Sequence, residues 1–199
     1  MTLTRRQLLG AGLGTAVLLA AGGIGLSLQP TRMVAPSRPL KALSPRAFSV
    51  LVAVADRVCP GTDAAPSATH IGVAELVDDL MGTMHPTDVA EFEQALQLLE
   101  NGLAGLLLDG RPRTFTTCSK EEQDRVLENW RTSALTLRRK AFKALRGLCA
   151  AAFYGNPGAY PAVGYPGPPA QLLALAATPA VPSPPEGQSS EGPPPMEAP

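Results

Sequence analysis

The stretch Ser119-Lys120-Glu121-Glu122-Gln123-Asp124-Arg125-Val126-Leu127-Glu128-Asn129-Trp130 reads as a complete helix start. A serine followed three residues later by glutamate forms a capping box, in which each side chain satisfies the other's backbone N–H in the first turn. Val126, Leu127 and Trp130 follow at helical spacing and supply an apolar face. Downstream, a last helix runs from about Ala134 to Tyr154 with Leu135, Phe142, Leu145, Cys149, Ala152 and Phe153 inward. Gly155 is placed to end it in the left-handed conformation. Arg131, Arg138, Arg139, Lys140, Lys143 and Arg146 make this region basic. Such a run reads first as a solvated face, and second as a docking face for an acidic partner.

Working upstream, Asp109-Gly110-Arg111-Pro112 breaks the chain. Before it, Pro86 permits a helical start, and Val89, Phe92, Leu96, Leu99 and Leu103 form one stripe. A shorter helix covers Ile71 to Met84, with Val73, Leu76, Val77 and Leu80 on one side. Asp78 and Asp79, adjacent and therefore pointing in different directions, read as solvated surface. Thr62 to His70 is loop. Ser44-Pro45 opens the first helix as N-cap and first helical residue; Phe48, Leu51, Val52, Ala55 and Val58 form its stripe, and Cys59-Pro60-Gly61 ends it. No alternating strand pattern interrupts this series. The fold class is all-α, a small irregular bundle of about five helices.

The 199 residues have room for one such domain and little else. The 19 glycines and 21 prolines crowd the two ends, which divides the chain into a signal over 1–30, a linker over 31–43, the helical domain over 44–167 and a disordered Pro-rich tail over 168–199. Thr4-Arg5-Arg6-Gln7-Leu8-Leu9-Gly10 precedes an uncharged, glycine-diluted apolar run, the pattern of a twin-arginine export signal read through Arg5 and Arg6. Leu8 to Leu28 would span about 31 Å as a helix, enough for a bilayer core. Cleavage near Gly25-Leu26-Ser27 and retention as an anchor are both compatible with it.

Formal net charge is zero, which gives no electrostatic footprint for nucleic acid. Gly10-Ala11-Gly12-Leu13-Gly14 lacks the preceding strand and later acid of a phosphate-binding loop. His70 and His85 are too far apart to share a metal on one helix, and no base is set beside a nucleophile. Cys59, Cys118 and Cys149 lie far apart, without the close pairs of a zinc site. They are candidates for a disulfide or for inter-subunit thiols, or are three small buried side chains. The sequence therefore assigns no catalytic, cofactor-binding or metal-binding residue to this chain.

Phe153-Tyr154-Gly155-Asn156-Pro157 and then Val163-Gly164-Tyr165-Pro166-Gly167 resemble the gluconate 2-dehydrogenase subunit 3 family, the small subunits of flavin-dependent sugar and sugar-acid dehydrogenases. The residues carrying the resemblance are Phe153, Tyr154, Pro157, Gly164, Tyr165 and Gly167. The turn after Ala55-Asp56-Arg57-Val58-Cys59-Pro60, and the acidic helix followed by a basic, aromatic one over Ser119 to Phe153, agree with it. The long proline-rich tail departs from it.

The resemblance implies a non-catalytic accessory subunit. Its partners would be a large FAD-containing dehydrogenase of the glucose-methanol-choline type, in some complexes a multihaem cytochrome c carrying haem c, and the twin-arginine (Tat) translocase. Flavin enters a folded protein in the cytoplasm, so only a translocase for folded proteins can export the product, and one signal can serve two chains bound beforehand. The expected location is the periplasm, associated with the inner membrane. The competing expectation is a free-standing, membrane-tethered periplasmic structural protein, with the extended tail crossing a gap.

Overall fold

Pro45 begins the first helix because its missing N–H costs nothing there, and the Ser44 hydroxyl accepts from Ala47 N. The computed structural model describes residues 30–63 and 65–169. Among them lie seven α-helices and no strand, only an isolated bridge between Thr62 and Ala65. They are α1 (Pro45–Val58), α2 (Ala68–Ile71), α3 (Val73–Met81), α4 (Pro86–Glu100), α5 (Gly102–Asp109), α6 (Lys120–Arg131) and α7 (Thr136–Tyr154). Short 3-10 turns occupy Phe115–Thr117, Pro157–Ala159 and Pro161–Val163. The helical unit ends at Tyr165, and the chain from Pro166 belongs to a second unit.

The hub is α1. It packs against α2, α3, α4, α6 and α7, which is why Ala47, Phe48, Val50, Leu51, Val54 and Ala55 are all buried rather than one narrow stripe. Around it, Val77, Leu96, Leu99, Trp130, Leu145 and Phe153 close the core. Each large side chain removed from water there contributes roughly 1.5–3 kcal/mol.

The five helices expected from the sequence are present, one of them broken in two at Asn101. A further short helix, α2, falls mostly within the Thr62 to His70 stretch expected to be loop, where the Ser67 hydroxyl caps it by accepting from His70 N. Gly72, in the left-handed region at φ 76°, ends α2 and starts α3 within one residue. The residue 100–103 stretch does not continue as one helix. Asn101 turns the backbone extended, and its Oδ1 accepts from Leu103 N and Ala104 N to cap α5. An asparagine–glycine pair inside an apolar run was the available signal for that break.

Two positions in the last helix differ from expectation. Gly155 has φ −73° and is right-handed. A Cβ there would lie 2.8 Å from the Ala151 carbonyl oxygen, so the glycine is required for space and not for handedness. Leu135 is not inward; it precedes the first turn of α7 and is about half exposed. The capping box at Ser119 forms as the sequence indicates, with Ser119 N donating to Glu122 Oε2 at 2.9 Å and Glu122 N to Ser119 Oγ at 3.2 Å. Ser119→Ala is expected to destabilise the domain by about 1 kcal/mol, read as a lowered urea midpoint with an unchanged slope.

Candidate partner-docking surface

Four buried or nearly buried polar side chains fasten the bundle. Glu100, fully buried at the end of α4, accepts from Thr116 N at 2.9 Å and Thr116 Oγ1 at 2.7 Å. Arg111 lies over Gly105, where a Cβ would come within 2.6 Å of its guanidinium, and donates to the Leu99 carbonyl at 2.9 Å. Arg138 of α7 donates to Asp109 at the end of α5 at 2.6 Å, both side chains under a tenth exposed. Its guanidinium also stacks 5.3 Å from the centre of the Trp130 ring. Asp78 is the fourth, and it corrects the solvated reading of the Asp78–Asp79 pair.

Asp78 is 2 % exposed. Its carboxylate accepts from Lys41 N at 2.6 Å, Ala42 N at 3.1 Å and Leu43 N at 2.8 Å. Asp79 faces outward and pairs with Arg38 and Lys41, whose hydrogen bonds hold its carboxyl below the usual carboxylate range. The segment expected as a linker thus has no regular structure but is a strap held on the bundle. Val34 N donates to Ser49 Oγ at 3.0 Å, Arg32 N to Thr116 Oγ1 at 2.9 Å, and Thr114 Oγ1 to the Pro30 carbonyl at 3.1 Å. Leu43 is buried at its far end. A groove of about 480 Å³ runs beneath it, with Phe48, Val52 and Ala55 from α1 and His70 and Glu75 among its walls.

Arg5 and Arg6, expected to carry an export signal, the Leu8 to Leu28 run and residues 170–199 of the expected tail lie outside the described residues. Among the described residues, no helix is long and apolar enough to cross a membrane. The strap places Pro30, the first described residue, beside the Thr114–Thr116 segment.

All three cysteines are free thiols. Cys59 and Cys149 are buried in one core between α1 and α7. Burial, then the nearby Cys59, pushes Cys149 up to about 12. Burial also raises Cys59, opposed by Arg146. Cys118 stands apart from them, half-buried, donating to the Thr114 carbonyl at 3.4 Å and 3.9 Å from an Arg111 nitrogen. Burial raises its thiol too. His85 caps α4, its Nδ1 accepting from Thr87 N at 3.3 Å.

The aromatic motif closes the α7 end. Phe153 is buried and meets Tyr154 edge-on at 5.2 Å. The Asn156 side chain accepts from Gly158 N and so opens the turn that Pro157 starts. Tyr160 donates its hydroxyl to the Gly155 carbonyl and packs edge-on against Tyr165 at 4.9 Å. Gly164 and Gly167 take the positive φ values that these turns need, 65° and 97°.

The outer side of α7 presents Leu137, Lys140, Ala144, Gly147, Ala151 and Tyr154 at three- and four-residue steps, all exposed. They share one helix face. Leu137 is 67 % exposed and Tyr154 55 %, with Lys140 and the small Ala144, Gly147 and Ala151 between them. The Asp109–Arg138 pair brings the end of α5 to the start of α7, so exposed Leu106, Leu107 and Leu108 lie at the same end of the bundle as Leu135 and Leu137. Charge is one-sided here: no acidic residue occurs between Glu128 and Glu186. Among the described residues, Arg138 is the only basic residue of α7 with an ion pair. Arg139 instead donates to the Ser133 and Ala134 carbonyls in the connection between α6 and α7.

The family model described as Gluconate 2-dehydrogenase subunit 3 matches residues 45–167, from the first residue of α1 through the glycine beyond the aromatic turns. No curated protein and no solved structure matches the chain. With more than half of its length matched, this helical chain belongs to the gluconate 2-dehydrogenase subunit 3 family.

Proposed function

We propose that the chain is a non-catalytic accessory subunit that binds a flavin-dependent dehydrogenase of the glucose-methanol-choline type and escorts it through the twin-arginine translocase to the periplasm. The family match over the whole helical unit carries this reading. The structure adds two supports. Asp78, Glu100, Arg111 and Arg138 are committed to backbone groups and an ion pair inside the fold. The strap fastens residues 30–43 to the domain, so a partner held by the domain travels with whatever the residues before Pro30 engage.

In this reading the chain itself holds no cofactor; FAD belongs to the dehydrogenase, and haem c to a cytochrome subunit where one is present. The complex works at the periplasmic side of the inner membrane on a sugar or sugar acid. Replacing Arg5 and Arg6 with lysines is expected to leave the bulk of the dehydrogenase activity, assayed with an artificial electron acceptor, in the cytoplasmic fraction. Undiminished activity in the periplasm and on the membrane would overturn the escort role.

A further inference from the structure

The end of α1 meets α7 along a cleft of about 220 Å³, whose walls include Arg57 and Val58 from α1, Leu127 from α6, and Phe142 and Arg146 from α7. Cys59 is the residue after Val58, where the backbone leaves the helix at φ −128°. Cys149 stands one turn beyond Arg146, and Phe142, Arg146 and Cys149 recur at four- and three-residue steps along one side of α7. The two thiols thus belong to facing sides of one helix–helix contact. Cys59 is 7 % exposed and Cys149 fully buried. The electrostatics agree with this placement: the Arg146 guanidinium acts on the Cys59 thiol, and Cys59 acts on Cys149.

Cys118 is placed elsewhere. It follows the turn at Phe115–Thr117, donates to the Thr114 carbonyl and lies beside Arg111. Three cysteines allow three internal pairings, and the packing of α1 on α7 favours one of them.

Both thiols are free in the structure, and the position of Cys59 is what separates the pair from two inert core side chains. Cys59 ends α1, its N–H donating to the Ala55 carbonyl at 2.8 Å and its own carbonyl accepting from Ala68 N at 3.1 Å. Outside helical φ and ψ the χ1 restriction that a helix imposes is relaxed. The sulfur can therefore swing toward α7 while these backbone bonds stay in place.

We infer that Cys59 and Cys149 are a redox pair that closes into a disulfide within the folded chain, Cys59 being the entry thiol and Cys149 the resolving one. The oxidant is an external disulfide. The Cys59 thiolate attacks one of its sulfurs and breaks that S–S bond, and the released thiolate takes up the proton that Cys59 gave up. The Cys149 thiolate then attacks the Cys59 sulfur, forming the internal bond and expelling the second external thiol, which takes the Cys149 proton. Two protein thiols are oxidised, and one external disulfide is reduced to two thiols. Burial keeps the thiolate fraction low and the exchange slow. In a reducing cytoplasm the pair stays open, and an oxidising compartment such as the proposed periplasmic location closes it. The bond then ties the hub helix to α7 after the bundle has already folded.

The experiment uses the purified full-length chain without denaturant, in a buffer of oxidised and reduced glutathione, with a parallel sample in dithiothreitol. Acid quenching, alkylation and peptide mapping without reduction show which cysteines are joined. The expected result is a Cys59 peptide linked to a Cys149 peptide in most of the oxidised chain, with a mass lower by about 2 Da. The melting temperature should rise by about 5 °C or more over the reduced form. Cys118→Ser should leave both results unchanged. Cys149→Ala should trap glutathione on Cys59, whereas Cys59→Ser should leave Cys149 unmodified. Linkage is read on the unaltered chain, so a variant that folds poorly leaves the outcome decided. Free Cys59 and Cys149 in the oxidised, folded chain would overturn the proposal. So would a bond that includes Cys118, or one that forms only after urea has unfolded the chain.

Discussion

Arg138→Ala is expected to cost about 4 kcal/mol of stability, a loss of roughly three orders of magnitude in the ratio of folded to unfolded chain. The guanidinium is 2.6 Å from Asp109, both side chains are almost wholly buried, and the group also lies over Trp130. Removing it leaves the Asp109 carboxylate buried with only a long 3.4 Å bond from Asn129. The cost is therefore an unpaired charge in the interior and a hole against the indole, more than a lost attraction. Asp109→Ala should be comparably damaging. The double substitution Asp109→Leu, Arg138→Met should recover most of the loss, because two apolar side chains of similar bulk need no partner. A double variant as unstable as the sum of the two single ones would show that the pair does not act as a unit. Urea unfolding followed by Trp130 fluorescence reads all four forms.

Asp78→Ala is expected to destabilise the domain by about 3 kcal/mol and to act locally first. Three consecutive backbone N–H groups lose a charged acceptor at once, and hydrogen bonds to ionised groups are the stronger kind. Leu43 is anchored beside them, so the strap should lift from the α3 end before the bundle opens. Amide exchange over residues 38–43 should accelerate well before that of α1, and limited proteolysis should cut there first. Unchanged protection of Lys41, Ala42 and Leu43 amides in the variant would refute the anchoring role. Asp79→Ala is the contrasting case. Its carboxylate is exposed and its ion pairs with Arg38 and Lys41 are at the surface, where such pairs contribute little.

The pairing of these two aspartates shows where sequence reading stops. Asp78 and Asp79 are chemically identical neighbours, and 100° of helix rotation puts one beneath the strap's backbone and the other at the surface against the strap's Arg38 and Lys41 side chains. Periodicity supplies the direction of each side chain relative to its own helix, but not which element lies opposite. The same limit applies to Arg138, one of five basic residues on α7 and the only one turned inward. Its partner is 29 residues away on a helix that the sequence had merged with its predecessor. By contrast, the Ser44-Pro45 start, the Ser119 capping box and the turn at Cys59 are decided within four or five residues, and they form as written.

The chain's own order of residues was enough to establish an all-helical domain, the caps that begin its helices, and the family to which its aromatic turns belong. Local hydrogen bonds and apolar spacing determine those features over short distances, so no folded context is needed to read them. Only the tertiary structure decided that residues 30–43 form a fastened strap, that Gly155 serves close approach, and that the small side chains of α7 face outward with unpaired lysines beside them. Those outcomes depend on which surfaces meet after the helices pack around α1, and burial of that kind couples residues far apart along the chain.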